Sequence, residues 1–152
     1  MNLRVAREED KRTLEDLLML ITKWDSKGVQ SRVSQFLEKS DRDFLIAVED
    51  AVLIGYAGIR EQEDSPIALP NSEEIAHIAW LGVHPNYRKR GTGSSLLQAC
   101  NSWALKHEKK KIWLDCLPKV KVTSFYEQNG YRIEGTYNFN GRTRNVLTTH
   151  CE

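Results

Sequence analysis

The sequence is most easily bounded by what it lacks. None of its apolar runs approaches the roughly 18 residues of a membrane-spanning helix, and residues 1–10 are too charged for a secretory signal. Three cysteines, Cys100, Cys116 and Cys151, form no C-x-x-C pair and make an odd count. That excludes a disulfide framework and points to a reducing, cytoplasmic setting. His77, His84, His107 and His150 are scattered and share no ligand spacing with cysteine or acid, so no metal site is expected. Charge of one sign is also missing: 22 basic against 21 acidic residues leave +1. Without a global field, neither nucleic acid nor an anionic membrane is an expected partner. The basic run at Lys89 and Arg90 is short and not interleaved with aromatics. Repeats, low-complexity tracts and linkers are absent too. At 152 residues the expectation is one domain, 1–152, with a core that needs no metal or disulfide.

What is present alternates between strand and helix periodicity. Residues 3–6 read as a strand, and 8–23 as a helix with Leu14, Leu17, Leu18 and Ile21 on one face. A second helix is expected over 29–39. Residues 44–49 and 52–60 form a hairpin turning at Asp50, followed by an acidic loop over 61–74 that carries Pro66 and Pro70. A strand over 75–83 ends before Pro85. Simple alternation puts His77, Ala79 and Leu81 on one face, with Ile78, Trp80 and Gly82 on the other. The next helix, 92 to about 108, lines up Leu96, Leu97, Cys100, Trp103, Ala104 and His107. A strand over 110–117, a helix over 120–129 and strands over 131–138 and 145–150 around Asn140-Gly141 complete a mixed α+β chain with a largely antiparallel sheet.

One segment names a ligand class. The strand leading to Val83 passes through a basic turn, Arg88-Lys89-Arg90, into Gly91-Thr92-Gly93-Ser94 at the start of a helix. N–H groups in a first helical turn have no intrahelical acceptor, and the helix dipole favours an anion there. Glycine lets phosphate oxygens approach the main chain, and guanidinium binds phosphate bidentately. The same pattern also suits a plain connection with a solvated basic turn. A P-loop would need a lysine after Gly93, where Ser94 stands, and a dinucleotide fingerprint would need a glycine at Leu96. Arg88-x-x-Gly91-x-Gly93 after Val83-His84-Pro85 does resemble the coenzyme A signature of the GNAT family of N-acetyltransferases. The later run Phe125-Tyr-Glu-Gln-Asn-Gly-Tyr131 resembles a second family element, and the likeness extends over nearly the whole chain.

The resemblance implies a sheet of six to seven strands, splayed between the fourth and fifth, with about four helices. It implies acyl transfer, usually of acetyl, from acetyl-coenzyme A as co-substrate to a primary amine by direct attack in a ternary complex. Backbone groups of Leu81 and Val83 would bond pantetheine, and Arg88, Lys89, Arg90, Gly91, Thr92, Gly93 and Ser94 would cradle the pyrophosphate. In the family the fourth strand carries a bulge, and Gly82 suits one where a costly backbone angle is needed. Tyr126 stands where the family places a hydroxyl near the sulfur; a phenol in water titrates near 10 and could act as general acid. The alternative for Tyr126 is aromatic packing with Phe125.

The position many members fill with a glutamate base is His77, whose imidazole could take the proton directly or through water. A half-buried strand histidine, Glu74, Glu61, Glu63 and a water relay are the alternatives. An asparagine usual before the tyrosine motif is replaced by Lys119. Trp24, Trp80 and Tyr137, with Phe139, are candidate walls for the acceptor, whose identity stays open among small amines, amino acids and protein amines. The acidic loop could draw a cationic acceptor or could simply be solvated. A non-catalytic acyl-coenzyme A binding module is the rival functional class. By analogy with the family, a homodimer is a candidate assembly.

Overall fold

The structure is a computed structural model that describes residues 1–152. In chain order the elements are β1 (Asn2–Val5), α1 (Lys11–Thr22), α2 (Ser26–Leu37), β2 (Arg42–Glu49), β3 (Val52–Arg60), β4 (Ile75–Val83), α3 (Thr92–Lys106), β5 (Lys111–Cys116), α4 (Val120–Gln128), β6 (Arg132–Phe139) and β7 (Arg142–His150). The strands are hydrogen-bonded in the order β1-β2-β3-β4-β5-β7-β6. β1–β2, β2–β3, β5–β7 and β6–β7 pair antiparallel, whereas β4 and β5 run parallel. This is the mixed, mostly antiparallel seven-stranded sheet that the sequence leads one to expect. None of the helices is long and apolar enough to cross a membrane.

Contacts gather the chain into two compact units, one of Met1–Arg60 with Ala79–Cys100, the other of Glu61–Ile78 with Asn101–Glu152. In the first, the 3.6-residue spacing of α1 buries Leu14, Leu17 and Leu18, and α2 buries Val29, Val33 and Phe36 against Phe44 and Ile46 of β2 and Tyr56 of β3. Each such side chain taken from water contributes about 1.5–3 kcal/mol. In the second unit Ile75, Trp113 and Val146 form a smaller cluster that Ile67, Leu69 and Tyr137 cover. The loop over 61–74 is therefore more than a solvated acidic strap: Ile67 and Leu69 pack inward, and Trp113 Nε1 donates to the Glu63 carbonyl at 3.1 Å.

The departures from expectation are local. α2 starts at Ser26 instead of residue 29, because the Asp25 carboxylate accepts from the Gly28 N–H at 2.7 Å and caps the extra turn. The first helix opens as a short 3-10 turn over Glu8–Asp10. β6 and β7 run closer to their turn than expected, since Asn140 and Gly141, at φ 50° and 79°, make a two-residue connection that keeps the strands paired to Phe139 and Arg142. At the end of β4, Ala79 and Trp80 pack against the first unit's core, and a Cβ at Gly82 would point at Tyr56 of the same core.

The Arg4–Asp10 pair ties β1 to the 3-10 turn, with contacts of 2.7 and 2.9 Å. The Arg4 guanidinium, helped by the Arg7 N–H, lowers the Asp10 carboxyl to about 2. An unfolded aspartate titrates near 3.9, so the fold favours the ionised form. The stabilisation is complete above about pH 4 and is lost as pH falls through about 2. Urea midpoints should drop on acidification through that window, and Asp10→Asn should lessen the drop.

Candidate active site

β4 delivers the chain into the glycine turn. The His84 N–H donates to the Ile54 carbonyl of β3 at 2.7 Å, and Pro85 then opens a 3-10 turn over Pro85–Tyr87. Within that turn the Asn86 N–H donates to His84 Nδ1 at 3.0 Å, so this nitrogen is the unprotonated one. Lys89 and Gly91 both take left-handed backbone, at φ 62° and 84°. At Gly91 a Cβ would meet nothing within 4 Å, so glycine answers the angle and leaves open space above the turn. Gly91 O accepts the Ser95 N–H at 3.0 Å. The N–H groups of Thr92, Gly93 and Ser94 thus precede the helical ladder and suit an anion. Thr92 can serve only through its backbone, because its side chain is buried toward Gly55.

The three basic residues of the turn differ in what holds them. Arg88 Nε donates to the Val83 carbonyl at 3.1 Å, while Arg90 pairs with Glu49 at 3.1 Å and lies over the Tyr87 ring. Lys89 is exposed. Leu81 and Val83 are half-buried, and Gly82 between them is buried. A left-handed angle is not what requires Gly82: its φ is not positive, and a Cβ would stand 2.5 Å from the Tyr56 hydroxyl and ring. Burial pushes that phenol up to about 12, against the pull of Arg88. Gly82→Ala should therefore displace a buried ring and cost about 1–3 kcal/mol, read as a lower denaturation midpoint.

In the second unit the parallel β4–β5 ladder is short. It pairs Ile75 with Lys111, Ala76 with Ile112 and His77 with Trp113; β4 then runs on to Val83. The His77 ring is 6% exposed and stacks on Trp113 at 3.9 Å. Tyr126 is half-buried on α4, its ring edge-on to Phe125 at 5.2 Å and Tyr131 at 5.8 Å. Lys119 is the residue before α4 and makes no side-chain cap, as expected where a lysine replaces an acceptor. Tyr137 donates its hydroxyl to Asp115, which also accepts from Arg144 Nε at 2.9 Å. Burial and the Asp115 carboxylate push this phenol up to about 12. Cys116 is buried and its thiol is pushed up by burial, the reverse of an activated nucleophile.

Trp24 and Trp80 come together in the first unit, with centroids 6.5 Å apart, in a cleft of about 290 Å³. Arg32, Arg42 and Arg60 also line it, a feature the sequence reading missed because no local motif joins these positions. Glu63 and Asp64 line a separate hollow of about 220 Å³ in the second unit, beside Trp113. No three His, Cys, Asp or Glu side chains are grouped to hold a metal ion.

The family model described as the acetyltransferase (GNAT) family matches residues 8–131. The chain belongs to the GNAT family. Its fold is correspondingly close to that of solved family members. An aminoglycoside 6'-acetyltransferase type Ii superposes with a TM-score of 0.83 at 20% identity, covering 100% of this chain and 98% of that one. An aminoglycoside 6'-N-acetyltransferase solved with coenzyme A gives 0.81 at 19%, again covering 100% and 98%. Among curated GNAT relatives, the amino-acid acetyltransferase of Actinobacillus pleuropneumoniae serotype 3 (strain JL03) is 25% identical over 136 residues, 89% of this chain. The chain spans 28% of that relative's length.

Proposed function

We propose that the chain transfers an acyl group, usually acetyl, from coenzyme A to a primary amine by direct attack in a ternary complex. The observation that carries this reading is the turn after β4, where Thr92, Gly93 and Ser94 offer N–H groups beside Arg88, Lys89 and Arg90. The residues present fit a pyrophosphate there, and Leu81 and Val83, half-buried at the end of the strand that leads into the turn, are the proposed backbone contacts for pantetheine. That an aminoglycoside 6'-N-acetyltransferase of the same fold is solved with coenzyme A supports the same ligand.

The neutral amine attacks the thioester carbonyl, so that a C–N bond forms and the C–S bond breaks. Tyr126 gives its hydroxyl proton to the departing sulfur, and the amine's proton leaves through water toward His77. Trp24, Trp80 and Tyr137 are the proposed acceptor walls. With His77 closed off and stacked, the relay needs the water; His77→Gln should flatten the acid limb of the pH–rate profile. An unchanged limb would move the role to a carboxylate or to solvent. The function itself is tested by following free coenzyme A thiol from acetyl-coenzyme A across a panel of amines. Amine-dependent release is the expected result. Tight coenzyme A binding with no release for any amine would favour a binding module instead.

A further inference from the structure

We infer that the cleft between α2 and β2–β4 selects acceptors that carry a carboxylate beside the reactive amine, with a flat or apolar body; this rests on the acyl-transfer reading. Three aromatic rings make the walls: Phe36 stacks on Trp80 at 5.5 Å, and Trp24 meets Trp80 edge-on at 6.5 Å. Three guanidinium groups sit on those rings. Arg32 lies 4.0 Å from the Trp24 centroid, and Arg42 and Arg60 lie 5.1 and 5.9 Å from that of Phe36. The cleft lining contains no carboxylate.

Arg42 is the built part of this arrangement. It is 8% exposed, and its Nε donates to Asp41 at 2.8 Å, which fixes the guanidinium through one of its five N–H donors. A planar fork held in place binds a carboxylate through paired, charge-assisted bonds, and cations over aromatic faces favour a flat ligand body alongside. The same charges repel a polycation. Size agrees: about 290 Å³ lies at the small end of ligand sites, which run from about 300 to 1,000 Å³, and suits an amino-acid-sized molecule. Ala79 and Trp80 line the cleft and directly precede Leu81, the first proposed pantetheine contact, so one strand carries both sites about 3.3 Å per residue apart.

Two measurements test the inference. Coenzyme A thiol release is compared for L-phenylalanine and L-tryptophan against their carboxamides. Separately, calorimetry compares phenylacetate with phenylacetamide in the presence of coenzyme A. The carboxylates should be preferred at least about tenfold in both, as a charge-assisted bond implies. Arg42→Lys should erase most of that preference, and Arg32→Gln, at an exposed position that keeps the test valid if Arg42→Lys folds poorly, should lower it measurably; coenzyme A affinity should stay unchanged in both. Equal handling of acid and amide, or tighter binding of phenethylamine, would overturn the inference even if acyl transfer proceeds. Selective phenylacetate binding with no transfer to any amine would uphold the anion-binding cleft and sink the transfer reading.

Discussion

Replacing Tyr126 with phenylalanine should lower turnover about 10²–10⁴-fold, the usual worth of a positioned general acid, while coenzyme A binds as before. The substitution removes one oxygen and keeps the ring. Its edge contacts with Phe125 and Tyr131 therefore persist, and the helix stop behind it, where the Tyr131 N–H donates to the Tyr126 carbonyl at 3.0 Å, is a backbone bond that the change does not touch. A denaturation midpoint measured beside the kinetics separates any loss of stability from loss of the acid. Steady-state turnover with a competent amine, beside calorimetric coenzyme A affinity, separates the roles. A fall in turnover with unchanged affinity supports acid catalysis, and unchanged turnover would leave Tyr126 a packing residue only. A fall in affinity without loss of turnover would recast it as a cofactor contact.

The fold was legible in this sequence wherever a single element carries its own signal. β4 runs over residues 75–83 as expected, and the apolar stripe of α3 is buried at Leu96, Leu97, Cys100, Trp103 and Ala104 because helical spacing alone puts those side chains on one face. Errors arose where a distant or polar partner decides. Asp25 lengthens α2 through a cap outside the apolar pattern. For Gly82 the sequence suggested an unusual angle, yet the cause is the Tyr56 ring from the neighbouring strand. The candidate site divides the same way. The proposed phosphate turn is contiguous from Arg88 to Ser94, so the sequence alone suffices to propose it. Arg32, Arg42 and Arg60 come from a helix and two strands, so only folding makes them one surface. Asp115 and Arg144 are likewise joined to Tyr137 only by strand pairing, which sets Tyr137 directly opposite Arg144.

Removal of the Arg88 side chain should weaken coenzyme A binding about 10- to 100-fold, as loss of a charge-assisted phosphate contact of about 1.5–3 kcal/mol implies. Stability should barely change. Arg88 is exposed, and its bond to the Val83 carbonyl can be replaced by water once the side chain is cut to alanine. Arg88→Lys should recover only part of the affinity, since an ammonium keeps the charge but loses the fork. Rising salt should narrow the gap between the native chain and Arg88→Ala, because screening weakens an exposed ion contact. The change should appear in the affinity for coenzyme A and in its Michaelis constant. Turnover at saturation should stay near the native value, because the guanidinium is assigned to the pyrophosphate and not to the reacting carbonyl. If saturating turnover falls with affinity intact, the turn positions the thioester. An Arg88→Ala chain with native affinity would remove the arginine from the cradle and leave the anion to the N–H groups of Thr92, Gly93 and Ser94 with Lys89.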